Sequence, residues 1–126
     1  MTEPVMPGAV RRLMKRLFLT ALLVTAAACA PLPPPPPPPY HAVGTEPFWD
    51  VLIDEHDVTF TLSGSQPIRQ PTPKVIVGIA GEIYQTPRIN VNIVHGQCSD
   101  GMSDRVFPDK VQVTVDGRRF NGCGGL

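Results

Sequence analysis

The sequence predicts a small all-β domain, an antiparallel meander of about six or seven short strands curling toward a barrel or a sandwich, behind a signal helix and a polyproline linker. Three observations predict it. Apolar and polar residues alternate with period two in several short windows, and Gly, Pro, Asn and Asp gather between those windows. Beyond residue 40 no window longer than a turn carries helical periodicity.

The first element is an export signal over residues 1–28. Lys15 and Arg16 precede a largely apolar stretch from Leu17 to Ala28, which falls short of the roughly 20 residues that a membrane-spanning helix needs. Met14 makes a more typical beginning for such a signal than Met1. Ala26, Ala27 and Ala28 directly before Cys29 resemble the bacterial lipobox, in which the cysteine thiol takes a diacylglycerol and becomes the new N-terminus. Leucine is commoner than alanine three places before that cysteine. Cys29 is therefore the expected lipidation site, and the membrane, reached through that lipid, is the first expected partner. Two or three acyl chains anchor stably where one holds reversibly. Ala30 in place of Asp resembles the outer-membrane sorting choice of Gram-negative lipoproteins, so the expected location is the outer membrane, facing the periplasm or the cell surface.

Residues 29–40 form the second element. Each proline from Pro31 to Pro39 fixes φ and lacks a backbone donor, so the run takes the polyproline II conformation. At about 3.1 Å per residue it reaches roughly 28 Å. It is a stiff spacer that would hold the following domain off its membrane.

The third element, residues 41–126, carries the strands. Trp49, Val51 and Ile53 alternate with Asp50, Leu52 and Asp54, and Val58, Phe60 and Leu62 with Thr59 and Thr61, with Glu55-His56-Asp57 as the loop between them. Pro71 and Pro73 keep the segment after Leu62 out of any central strand. Val75, Val77 and Ile79 predict a strand, followed by a turn at Gly81 and a short strand around Ile83 and Tyr84. Ile89, Val91 and Ile93 form an apolar face opposite Arg88, Asn90 and Asn92. The closing hairpin, Val111 to Phe120, turns at Asp116-Gly117, a pair suited to a type I′ turn because both central residues need positive φ.

A core this small commonly needs a staple. Three cysteines leave one unpaired in an oxidising compartment; if Cys29 carries lipid, Cys98 and Cys123 remain as a pair. Their bridge would contribute roughly 3 to 4 kcal/mol in the chain-entropy model. Strict register across the last hairpin places Cys123 opposite Lys110 and facing outward. A bulge at Asn121-Gly122 would restore an inward path and put the bridge at the barrel rim.

Three segments, "GTEPFW" (Gly44 to Trp49), "CSDGMSDRVFP" (Cys98 to Pro108) and "GCG" (Gly122 to Gly124), together resemble a family of small, largely uncharacterised bacterial envelope lipoproteins, loosely associated with META-type lipoproteins. Its pattern runs Gly-Asn/Thr-Glu-Pro-Phe-Trp, then Cys-x-Asp-x-Met-Ser-Asp with a following Tyr/Phe-Pro, then Gly-Cys-Gly. The likeness covers most of residues 43–126 in matching order, with Thr45 where asparagine is more frequent and Phe107 where tyrosine is. It implies a lipid-anchored extracytoplasmic β domain and no defined reaction.

Charge excludes one function class. Beyond Cys29 the chain has seven basic and ten acidic residues, and so lacks the Lys/Arg footprint that nucleic-acid binding requires. No spacing matches a zinc pair or a calcium loop, so no metal or other cofactor is expected; copper held by Met102 and His95 is the minor alternative. The pairs Asp100 with Asp104 and Glu46 with Asp54 offer carboxylates for acid-base chemistry, but sequence spacing sets no separation between them. Ser99 and Ser103 sit on no nucleophile elbow, and His41, His56 and His95 stand in unrelated contexts. A non-enzyme is expected, with Asp100 and Ser99 accepting backbone N–H bonds in a turn and Gly101 supplying a left-handed φ.

Pro47 biases Glu46 to extended backbone. Phe48 and Trp49 then point to opposite faces: Trp49 is expected to plug the barrel with Phe48 over its open end, and an exposed member of the pair beside Glu46 is the alternative, a partner anchor. Glu46, Phe48, Trp49, Met102 and Asp104 make the candidate partner-binding rim. The expected function is a lipid-anchored binding or structural accessory module, monomeric as a domain, for an envelope protein partner. Inhibition of a cell-wall hydrolase, as by lysozyme-inhibiting lipoproteins of similar size, is the sharper alternative; weak metal binding or catalysis is the other.

Overall fold

The computed structural model describes residues 28–126, so the expected signal helix lies outside the described residues. Residues 28–35 form no helix or strand and are exposed, Cys29 included. From Tyr40 onward the chain is all-β, with no helix among the described residues.

Nine antiparallel strands follow in order: β1 (Tyr40–Thr45), β2 (Phe48–Ile53), β3 (Asp57–Leu62), β4 (Ile68–Pro71), β5 (Ile76–Val77), β6 (Gly81–Gln85), β7 (Ile89–Ser99), β8 (Val106–Val115) and β9 (Arg118–Gly124). They make one sheet in the order β4-β3-β2-β1-β9-β8-β7-β6-β5. Two meanders are thus joined where the first and last strands pair, Val43 opposite Cys123. The sheet cannot be flat. Its edge strands β4 and β5 are linked by residues 72–75 alone, a reach of about 18 Å at most. Nine flat strands spaced about 4.8 Å apart would hold those edges roughly 38 Å apart. The sheet curls into a half-barrel, and its concave face holds the core.

That face is built by the alternation read from the sequence. Val51, Ile53, Val58, Phe60, Ile89, Val91, Ile93, Val111, Val113, Val115 and Phe120 form the buried cluster with Ala42 and Trp49. Trp49, Phe60 and Phe120 pack mutually, with ring centroids 5.0 to 6.4 Å apart, inside the range of favourable aromatic pairs. Glycines on two strands make room for Trp49. A Cβ on Gly44 would collide with the indole Nε1, and one on Gly122 would lie 2.7 Å from the indole Cζ2 and strike the Val43 carbonyl. Gly124 does the same for Tyr40, whose hydroxyl oxygen would be 2.5 Å from an added Cβ. The "GTEPFW" and "GCG" segments are therefore two parts of one packing arrangement.

The strand count exceeds the expected six or seven because two strands were hidden. β1 carries His41 and two small residues, with Val43 as its one aliphatic side chain of any size, so its alternation is faint. β4 holds Pro71, which is tolerated because β4 is an edge. The expected strand through Val75, Val77 and Ile79 shrinks to the two-residue β5, whose Ile76 and Val77 are exposed beside an exposed Ile79. The closing hairpin is as expected: Asp116 and Gly117 have φ of 48° and 84°.

The disulfide Cys98–Cys123 is present. The expected bulge at Asn121-Gly122 is not: β8 and β9 stay in strict register from Asp109 opposite Gly124 to Val115 opposite Arg118, with Lys110 opposite Cys123. The irregularity falls instead in β7, between His95 and Cys98. It lets the end of the β7–β8 hairpin fold over the convex side of the sheet. Cys98 there meets an outward-facing Cys123, its Sγ 3.4 Å from the Gly122 carbonyl oxygen. Cys123 is buried yet stands outside the core cluster, because the folded hairpin covers it.

Candidate functional site

The segment Cys98-Ser99-Asp100-Gly101-Met102-Ser103-Asp104 is the densest run of polar chemistry in the chain, and its groups bond to one another. Asp100 Oδ1 accepts the backbone N–H of Met102 (3.0 Å) and of Ser103 (2.9 Å), and the Ser103 hydroxyl donates to Oδ2 (2.9 Å). Ser99 Oγ accepts from Gly101 N–H, and Ser103 Oγ from Arg105 N–H, each at 3.3 Å. Gly101 has φ of 74°. The N–H donors of Ser103 and Met102 hold the Asp100 carboxyl below the usual carboxylate range. The arrangement is a self-bonded turn, as the residue types predict.

This turn forms one wall of a trough on the convex face. An open pocket of about 270 Å³ is lined by Val43, Gly44 and Thr45 of β1, by Cys98 to Asp100, and by β9. A second, of about 410 Å³, shares Val43, Gly44 and Thr45 and continues to Phe48, Asp50 and Thr61. Phe48 is 56% exposed beside it. The trough crosses β1 with an aromatic side chain on one bank and the stapled turn on the other.

A second cluster spans the concave face at its other end, and composition gave no sign of it. Asp109 of β8 is buried with 5% exposure. It accepts the Tyr40 hydroxyl at Oδ2 (2.8 Å) and pairs with His95 Nδ1 at Oδ1 (2.7 Å), while His95 Nε2 meets Glu82 Oε1 at 2.9 Å. Register explains the row. His95 lies directly opposite Asp109, Glu82 sits opposite Ile93 one pleat away, and Tyr40 reaches over Gly124 of the intervening β9. Asp109 and then Glu82 raise the His95 pKa above its ordinary value, because the protonated form of the ring can donate one N–H to each carboxylate. Burial, reinforced by Asp109, raises the Tyr40 phenol strongly.

No family model, curated protein or solved structure matches this chain. Its chemistry is therefore read from the geometry alone.

Of the expected rim residues, the structure leaves Glu46, Phe48, Met102 and Asp104 exposed and sends Trp49 into the core. Trp49 contributes to the trough from beneath, and is not one of its exposed groups. Thr45 lines the same pocket as Asp100, and Phe48, across the Glu46-Pro47 turn, lines the adjoining one; Met102 and Asp104 follow on the exposed part of the turn that holds Asp100. The expected carboxylate pair Glu46 with Asp54 is split, since six-residue β2 separates them. Asp54 caps the β2–β3 turn through the N–H groups of Asp57 and His56 (2.8 Å each), which lower its pKa in that order. His95, the histidine of the copper alternative, has both ring nitrogens engaged by carboxylates. Among the described residues no group of three or more His, Cys, Asp or Glu is placed to hold a metal.

Asp109, Tyr40 and Glu82 escaped the sequence reading. A signal was present: in β8, Phe107, Val111, Val113 and Val115 share one parity, and Asp109 is the charged residue on that apolar face. A carboxylate there demands a partner.

Proposed function

We propose that the chain is a lipid-anchored accessory of the bacterial envelope, of the lipoprotein family that its motifs resemble, and that it binds a protein partner without catalysis. Cys29 carries the lipid, the polyproline run holds the half-barrel off the membrane, and the convex trough over β1 is the docking face. The observation that carries the reading is Phe48, a large aromatic side chain left exposed beside an open trough whose far bank is a rigid, stapled turn. Such an aromatic at a preformed concavity is a typical interface anchor. The bonding inside the turn supports the absence of catalysis: Asp100 and Ser103 are committed to backbone and to each other, and Cys98 is in the disulfide. For the anchor, Cys29→Ser is expected to move the protein from the membrane fraction to the soluble fraction; retention on membranes would contradict it.

Inhibition of a cell-wall hydrolase is the second reading. It is favoured by the same hairpin end, a stapled loop that presents Met102 at 66% exposure and could enter a cleft. Purified protein that leaves several lysozyme classes fully active would end this version while leaving the docking face intact.

A further inference from the structure

A second site lies on the concave face, independent of the tether and of the trough. At the end remote from the Asp109 cluster, a cavity of about 170 Å³ opens between β3–β4 on one side of the curl and β8–β9 on the other. Its floor is apolar, formed by Phe60, Leu62, Ile68, Val115 and Phe120. Its size is close to the roughly 150 Å³ that accommodates a single benzene ring in an apolar protein cavity. Ser65, Gln66 and Arg118 line the rest, and Arg118 is the charged one. Arg118 lies opposite Val115 in the register, and Val115 faces inward, so the guanidinium shares the concave side; its Cζ sits 4.8 Å from the centroid of the Phe120 ring.

The charge at this opening favours an anion. Arg118 takes part in none of the ion pairs among the described residues. The nearby Asp116 of the β8–β9 turn is held by both guanidinium bonds of Arg88, at 3.0 and 2.7 Å. Among the described residues Arg118 is thus the one charged residue lining the opening, although the domain as a whole is acidic. Arg118 is stacked on an aromatic face, which fixes the plane of a fork that recognises carboxylates.

We infer that this cavity binds a small aromatic monocarboxylate, the ring lying over the apolar floor made by Phe60, Leu62, Ile68 and Phe120 and the carboxylate held by Arg118. A long acyl chain exceeds the volume, and a cation meets the arginine.

The test uses the full chain carrying Cys29→Ser, disulfide intact and free of detergent, titrated with sodium benzoate, benzyl alcohol and benzylamine. The readout is the methyl NMR shifts of Leu62, Ile68 and Val115. Benzoate is expected to give saturable shifts at these methyls, with benzyl alcohol about tenfold weaker and benzylamine weaker still. Arg118→Gln, a change on an exposed side chain, is expected to bring benzoate down to the benzyl alcohol level and leave benzyl alcohol unchanged. Ile68→Trp fills the cavity and is expected to abolish binding of all three. The inference is overturned if benzoate and benzylamine bind alike, or if Arg118→Gln leaves benzoate binding intact. It is also overturned if no saturable shift appears by about 50 mM, above the roughly 10 mM dissociation constant that nine heavy atoms give at modest ligand efficiency.

Discussion

Two polar clusters in this half-barrel use similar residue types in opposite ways. The turn from Cys98 to Asp104 is contiguous in sequence, exposed on the convex side, and bonded almost wholly to its own backbone. The row Tyr40–Asp109–His95–Glu82 draws on four strands, sits on the concave side, and consists of side chains bonded to side chains. The first shapes a loop; the second ties distant strands together around a buried carboxylate. A dense local run of polar residues therefore marked a turn, whereas a single charge at the wrong parity marked the tertiary network.

Separating the two clusters by mutation tests that contrast, beginning with the largest effect. Replacing both Cys98 and Cys123 by serine is expected to lower stability by about 3 kcal/mol, as the chain-entropy model gives for a loop of this length. It frees the turn from β9, so the Met102 and Ser103 amides should exchange faster with solvent, while the His95 titration stays unchanged. A moved His95 titration would show that the clusters are coupled.

Asp109→Ala comes next. It strands the Tyr40 hydroxyl and removes the partner of His95, at a cost of about 2 kcal/mol, measurable by denaturant unfolding. The amides of the turn should keep their protection. Loss of turn protection in the folded variant would erase the distinction between the two regions.

pH separates the clusters by sign. The His95 pKa is raised in the folded protein, so its stabilisation is complete below the ordinary imidazole value of about 6.5 and is lost as pH rises through the folded value. Wild type is therefore expected to exceed His95→Gln in Tm at pH 5, the gap closing on the alkaline side. Asp100 behaves oppositely. Its pKa is lowered, so its contribution is present above about 3.9 and lost as pH falls through the folded value. Asp100→Ala, the smallest effect of the series, should differ from wild type at pH 7 and converge with it in strong acid. A gap for His95→Gln that widens with rising pH would refute the assigned bonding.

Much of the half-barrel was legible because its core strands alternate cleanly: Val51 and Ile53, Val58 and Phe60, and Ile89 to Ile93 all point inward as read. The Asp116-Gly117 turn and the Asp100 turn followed from local backbone chemistry. Cysteine parity found the disulfide. What was not legible depended on position within the sheet. β1 is too small-sided to alternate visibly, and only its place beside β2 and β9 makes it a strand. The irregularity assigned to Asn121-Gly122 belongs to β7, while Gly122 keeps its register and gives up its side-chain space to Trp49 and the Val43 carbonyl. Of the pair at the start of β2, Trp49 plugs the core as expected, and Phe48 is left at the trough, across which lies the stapled turn.

The docking face is the central claim, and site-specific photo-crosslinking in the intact envelope tests it most directly. A photoreactive side chain is placed at Phe48 in one strain and at Ile79, an equally apolar and fully exposed position at the far edge, in another. The account predicts a discrete protein adduct from position 48 that is absent or much weaker from position 79. No adduct at 48, or the same adducts in equal yield from both positions, would contradict it.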